Sequence, residues 1–574
     1  MNRSSQTPAA PSLEIISRRK WLGLVSTPAI AASLSGGFAE QSAVAAEGAD
    51  KSLLPQNLQA AGVHNIRNYG AKGDGNALDT AAVQAAIDAC TKDKGGTVLV
   101  PAGDFVVGTI ELKSNVTLHL AAAGRLLGSD KIEHYSAGKG VPPGNGNVVL
   151  LFAVNAENVS IEGKGTVDGQ GAKFYTGKGD NTGPGQNREQ GYVNRPHLAI
   201  FYRCKNLSVQ DVFLTASAYH CMRILECTRV QLQGVRIHNR VNKNNDGFHL
   251  VSNQYVHIAN CDIACQDDAC ALFGSNKFVT VTNCSFSTRW SVFRFGGGKS
   301  ENITVSNCVI YETYGCPIKM RFGSGSGIEN AIFSNIVMNN VTGPISIGLD
   351  STSRRGPASG DGARPKGYVR NLVFTGIRAT VVAEGRQHAD LPFPSSYRPG
   401  ETRSCIVLNG AGEDFLEGIS LSDIQITFEG GGTADDAARR DVPKMAGEYF
   451  ELGVLPSYGL YARNVRGLTL YNIRLEVTNP DLRPAVVFEN VEDAGVNGLS
   501  ANGNPKADAL LRLTDSRDIY LSACRVLTPA AAFVHTEGAA SRGITIDGGD
   551  VAKAANVVSF GSGASKDAVK VRVS

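Results

Sequence analysis

From about residue 155 onward a short phrase recurs: two apolar residues separated by one position, two or three small polar residues, then another apolar pair. It reads at Asn206-Leu207-Ser208-Val209, Val230-Gln231-Leu232, Val256-His257-Ile258, Val279-Thr280-Val281, Ile303-Thr304-Val305 and Ala331-Ile332-Phe333. The leading residues Leu207, Val230, Val256, Val279 and Ile303 are 23, 26, 23 and 24 positions apart. Such alternation predicts short strands with one buried face, and the short period leaves no room for a crossover helix in each unit. Each unit therefore reads as one coil of a parallel β-helix, stacked on its neighbours at about 4.8 Å.

Stacking sets like residues above one another. That accounts for Ile258-Ala259-Asn260-Cys261, Val281-Thr282-Asn283-Cys284 and Val305-Ser306-Asn307-Cys308 without any chemistry. Weaker copies follow at Leu372, Ile419, Leu468, Ile519 and Ile544. A β-helix has open ends to cover, and Asp79 is placed to cap a helix whose apolar stripe is Val83, Ala86, Ile87 and Cys90. Gly-rich, aperiodic stretches at about 136–150, 170–195, 351–367, 384–403 and 429–456 read as insertions that wall a groove.

The repeat changes what length means. At about 150 residues per domain the chain would hold roughly four domains, whereas a solenoid makes it one stack of Gly-rich turns. The expected organisation is an export signal at 1–46, an N-terminal cap and first coils at 47–110, and a parallel β-helix with groove-forming insertions at 111–574. The export reading rests on Ser17-Arg18-Arg19-Lys20-Trp21-Leu22, a mildly apolar run, and Ala43-Val44-Ala45-Ala46. The paired arginines favour twin-arginine export, to the periplasm or beyond. No other apolar run is long enough to span a bilayer. With 56 Lys and Arg against 53 Asp and Glu and no run of like charge, a nucleic-acid partner is set aside. Nine of the twelve cysteines fall between Cys204 and Cys316; export permits disulfides, but stacked Cys261, Cys284 and Cys308 read as small core residues. No cysteine spacing suggests zinc, and no metal or organic cofactor is expected.

An exported β-helix offers an elongated concave surface suited to a long polymer. The chemistry-bearing stretch is Asn244-Asn245-Asp246-Gly247-Phe248-His249, followed by Gln266-Asp267-Asp268-Ala269-Cys270. Asp246 and Asp267 are 21 residues apart, close to one coil, which puts their carboxylates on one face. Three gathered carboxylates repel one another, so at least one retains a proton for general-acid work while two hold and deprotonate a water. Adjacent Asp267 and Asp268 both reach a groove only from a bend or bulge. Asp-Gly and Asp-Asp pairs also serve as solvated turn caps, and on these residues alone both readings stand.

The opening Asn68-Tyr69-Gly70-Ala71-Lys72-Gly73-Asp74-Gly75, with Gly95-Gly96-Thr97-Val98 to Pro101-Ala102-Gly103, resembles the start of pectin-degrading β-helix enzymes. The Asn-Asn-Asp and Asp-Asp motifs resemble those of family 28 glycoside hydrolases, the polygalacturonases and their relatives, over about residues 63–350. Leu455-Pro456-Ser457-Tyr458-Gly459-Leu460-Tyr461 is similar to the C-terminal part of bacterial members. The resemblance implies an inverting hydrolase with Asp267 as general acid and Asp246 and Asp268 activating the water, with Asn244 among the substrate contacts.

Two departures stand out. Where the family carries Gly-His-Gly, the chain reads Thr288-Arg289-Trp290-Ser291-Val292-Phe293-Arg294-Phe295-Gly296-Gly297-Gly298, with no His. The family's Arg-Ile-Lys is Pro317-Ile318-Lys319. Arg321 shares the face of Lys319 if the strand continues, and Arg289 and Arg294 are additional cations. With no other obvious counter-ion, these cations either bind a substrate carboxylate or pair with the aspartates. Trp290, the one Trp of the mature chain, either stacks on a sugar or packs under a loop. His249 and His220 read more readily as turn or core residues, with a minor binding role open to each.

The expectation is an all-β, single-stranded right-handed parallel β-helix with an N-terminal helical cap, monomeric, hydrolysing a polysaccharide or oligosaccharide of the plant cell wall. With the His and Arg lost, a different uronic-acid-containing or neutral plant polymer, such as a rhamnogalacturonan-type backbone or side chain, fits as well as polygalacturonate. A lyase on the same fold, using Lys319 or Arg294 as base with calcium, and a non-catalytic polysaccharide-binding protein are the alternatives.

Overall fold

The computed structural model describes residues 62–142, 148–174, 195–352, 365–395 and 397–572. The expected export signal lies outside the described residues, as do parts of the insertions at 136–150, 170–195 and 351–367. The described chain winds as a right-handed parallel β-helix in which each strand pairs with those of the coils before and after it.

The repeat is an interior ladder. Val159, Leu207, Val230, Val256, Val279 and Ile303 stand in register, and the column continues through Ala331, Leu372, Ile419, Leu468, Ala494, Ile519 and Ile544. All are buried, so the driving force is apolar surface removed from water coil by coil. The Asn column has a backbone cause: Asn260, Asn283, Asn307 and Asn335 take φ of 56°, 55°, 55° and 53°, a left-handed turn that Asn tolerates better than most residues. All twelve cysteines are buried and unbridged. The backbone N–H of Cys261 donates to Cys284 Sγ at 3.4 Å, so the column packs as core.

A helix at Thr80–Lys92 covers the N-terminal end, burying Val83, Ala86, Ile87 and Cys90. Asp79 precedes it but does not cap it with its side chain, contrary to the sequence reading. Its backbone, at φ −94° and ψ 6°, is not in the extended conformation a capping residue adopts. Its buried carboxylate instead accepts from the backbone N–H groups of Lys72 and Gly73, at 2.7 and 3.0 Å.

One face of the solenoid positions the site. Its strands are Met222–Leu225, Phe248–Val251, Cys270–Phe273, Phe293–Gly296, Ile318–Gly323, Ile345–Asp350 and Ile406–Gly410. Phe248, Cys270, Phe293, Ile318 and Ile345 point inward in register and are buried. One outward column runs Arg223, His249, Ala271, Arg294, Lys319, Ser346; the next runs Leu225, Val251, Phe273, Gly296, Arg321, Gly348, Asn409.

Asp79→Ala leaves two backbone donors without their carboxylate, and the cap is expected to loosen locally by about 1–3 kcal/mol. Amide exchange at Lys72 and Gly73 checks this: it should quicken while exchange in the central coils stays unchanged.

Candidate active site

The acidic residues sit on the turns that feed this face. Gln266–Asp268 form a bend between the strands Asp262–Cys265 and Cys270–Phe273, so consecutive aspartates escape the alternation of a straight strand. The register of Phe248 on Cys270 sets Asp246 one coil from Asp268, and Gly247 N–H donates to the Asp268 carbonyl at 3.0 Å. Asn244, at φ 52°, donates from Nδ2 to Asp267 Oδ2 at 3.3 Å and accepts from Arg195 Nη2 at 3.2 Å. Asp267 Oδ1 accepts from Asp268 N–H at 2.9 Å, and Asp268 Oδ1 from Ser291 N–H at 3.2 Å. Asp246 and Asp268 are buried; Asp267 is partly open.

Beneath Asp246 lie two histidines. His249 Nδ1 is 2.6 Å from Asp246 Oδ2, His220 Nε2 is 3.7 Å from Oδ1, and the rings stack with centroids 4.3 Å apart. Burial, then the charge of Asp268, pushes the Asp246 carboxyl well above the usual range, with Arg223 opposing. Burial raises Asp268 as well, against Lys319 and Arg294. The His249 imidazole is pushed down to about 3 by burial and then by Arg223, with Asp268 opposing. His220 is lowered by burial, then by His249 and His197. His220, Asp246 and His249 are the one group among the described residues whose donor atoms could surround a metal ion; as they stand, His249 and Asp246 are bonded to each other.

The cations behave differently from the sequence reading, which saw no counter-ion for them beyond the aspartates. Lys319 Nζ donates to Glu448 Oε2 at 2.8 Å, and Arg321 and Arg294 reach Glu448 Oε1 at 3.6 and 3.7 Å. Lys319 and Arg321 do share one face, and Lys319 is 1% exposed. Arg289 is no open cation: it is fully buried, 3.4 Å from Glu401, with its guanidinium over the rings of Tyr397 and Trp290 at 4.0 and 5.0 Å. Trp290 is partly buried, with Lys319 Nζ 4.4 Å from its ring centroid and Phe450 beside it. Burial works against ionising Glu448, yet Lys319, Arg321 and Arg294 outweigh it and hold the carboxyl well below its ordinary range.

Sequence reasoning missed Glu448 and Glu401 because both arrive on insertions, 129 residues from Lys319 and 112 from Arg289. The available signal was indirect: three cations facing one way call for a carboxylate, and the insertions carry several.

The described chain is a right-handed parallel β-helix with aspartates clustered on the turns beside an outward sheet face. The model for glycosyl hydrolases family 28 matches residues 90–389, and the chain belongs to that family. An exo-poly-α-D-galacturonosidase of Dickeya chrysanthemi is 28% identical over 336 residues, covering 49% of this chain and 55% of the relative. A polygalacturonase of Solanum lycopersicum is 25% identical over 330 residues, covering 55% and 69%. Among solved structures, a hyperthermoactive exopolygalacturonase from Thermotoga maritima superposes with a TM-score of 0.54 at 19% identity, covering 72% of this chain and 91% of that one.

His249 stays neutral in the fold, whereas an unfolded imidazole takes up a proton below about pH 6.5. Its contribution to stability is therefore complete above that pH and is lost as the pH falls toward its folded value of about 3. Between about pH 6.5 and pH 5 the wild type should lose about 2 kcal/mol that His249→Gln retains. Melting temperatures across that range check it: the wild-type curve is expected to be the steeper, and parallel curves would contradict the assignment.

Proposed function

We propose that the chain hydrolyses glycosidic bonds of a pectic polysaccharide by a single inverting displacement. The observation that carries this reading is the gathering of Asp246, Asp267 and Asp268 on successive turns of one face in a family 28 chain. The names of the relatives, a polygalacturonase and an exo-poly-α-D-galacturonosidase, support a galacturonan-type substrate.

In this mechanism Asp246 and Asp268 hold a water between them, and Asp268, whose charge helps to raise Asp246, takes its proton as the water oxygen bonds to the anomeric carbon. Asp267, the most open of the three, gives its proton to the glycosidic oxygen as that bond breaks. Inversion needs room for the water between base and acid, about 6.5–9.5 Å. The hydrogen bond between His249 and Asp246 supports His249 as a positioning residue that orients Asp246. Asn244 steadies Asp267, while Lys319, Arg321, Arg294 and Trp290 lie on the substrate side and Arg289 supports Trp290 from behind. The Arg18-Arg19 pattern supports work outside the cytoplasm, where such polymers occur.

The test is reducing-end release from a panel of pectic polymers. Asp267→Asn is expected to lower kcat by about a hundred-fold or more, the scale of a lost general acid. NMR of the first product should show the inverted anomer. Ultraviolet-absorbing unsaturated products abolished by chelator would make the protein a lyase, and oligosaccharide binding without new reducing ends would make it a binding protein.

A further inference from the structure

The insertion that carries Glu448 lies down the outer face of the groove sheet. Arg512 Nη2 donates to the carbonyl of Ala437 at 2.8 Å, Arg463 to those of Val442 and Pro443 at 2.8 and 2.6 Å, Asn409 to that of Met445 at 2.8 Å and Arg321 to that of Ala446 at 2.6 Å. These donors project from four of six consecutive coils. Gly348 leaves the room the segment needs, since a Cβ there would come within 2.9 Å of Ala446 Cα. The far end is pinned by Tyr449, whose hydroxyl donates to the carbonyls of Cys405 and Ile345 at 2.7 and 3.2 Å. Glu448 is thus a fixed part of the sheet face.

Its carboxylate engages all three cations of the outward columns near Asp268. Beside it opens a cavity of about 480 Å³ bounded by Phe273, Arg294, Arg321, Asp350, Met445 and Glu451. Among the described residues, the charged lining is two cations and two carboxylates, so the charges cancel. Arg321, which could face a ligand there, is already committed to Ala446, Glu448 and Glu451.

We propose that Glu448 is a specificity-determining residue that stands where a substrate carboxylate would otherwise bind, so that the sugar unit in this cavity is one without a free carboxylate: a neutral sugar or a uronate methyl ester. This rests on the polysaccharide-hydrolase reading above and narrows its substrate. A free uronate in the cavity would meet Glu451 and Asp350, while the two lining cations, Arg294 and Arg321, already form ion pairs with Glu448 beside it, and like charges set together discriminate strongly. The methyl ester keeps the shape of the sugar and loses the repulsion.

The experiment compares methyl-esterified and de-esterified oligogalacturonides of one length, by kcat/KM with wild type, Glu448→Gln and Glu451→Gln, and by calorimetric binding to Asp267→Asn with and without Glu448→Gln. The wild type is expected to favour the ester by about ten-fold or more. Glu448→Gln should shrink that ratio about ten-fold, chiefly through a lower KM for the acid, and Glu451→Gln should shift it less in the same direction. Circular dichroism confirms that each variant is folded, and Glu451→Gln alone carries the test if Glu448→Gln is not. A wild type that prefers the acid, or a ratio the folded variants leave unmoved, overturns the proposal. Preferential binding of the ester with no turnover by the wild type overturns the hydrolase reading and upholds this one, and binding of neither oligomer overturns both.

Discussion

The constraint on which the molecule depends is the parallel register that sets each residue on its counterpart one coil away. Inside, that register stacks Val on Val and Ile on Leu, and each coil completes its neighbour's core. Outside, it stacks charge on charge just as faithfully. Arg294 stands on Lys319, with Arg321 in the adjoining column. Cations at strand spacing repel, and the carboxylate that pairs with all three, Glu448, arrives on an insertion rather than from the coils.

That division of labour explains the character of the site. The coils supply positions, rigidly and at fixed spacing, through bends such as Gln266–Asp268 that free two neighbouring aspartates from strand alternation. The insertions supply partners: Glu448 for the Lys319 cluster and Glu401 for Arg289. Burial then decides protonation. Asp246 and Asp268 are raised and His249 is lowered chiefly because all three are withdrawn from water, which favours the uncharged form of each.

What was legible in the sequence follows the same line. The interior ladder from Leu207 to Ile303 could be read because its period is local and its chemistry uniform. The Asn column could be read as stacking, although its left-handed backbone could not. Asp246, Asp267 and Asp268 could be placed together because they lie about one coil apart. Asp79 was placed correctly at the head of its helix and given the wrong bond, because a carboxylate at that position can turn either to the helix or to a neighbouring loop, and only the folded loop at Lys72 and Gly73 decides. Arg289 was read as an open cation because Glu401 and Tyr397 are distant in sequence and close only after folding.

The segment from Ala437 to Glu448 has a mechanical meaning apart from its charge. A solenoid without disulfides touches only nearest neighbours, so its coils can open one after another from an end. A single stretch of main chain bonded to Arg512, Arg463, Asn409 and Arg321 crosses that nearest-neighbour pattern. It works as a longitudinal tie rod, and the coils it spans must open together or not at all. The central part of the stack is thereby made into one cooperative block, while the turns beyond the tie remain free to fray.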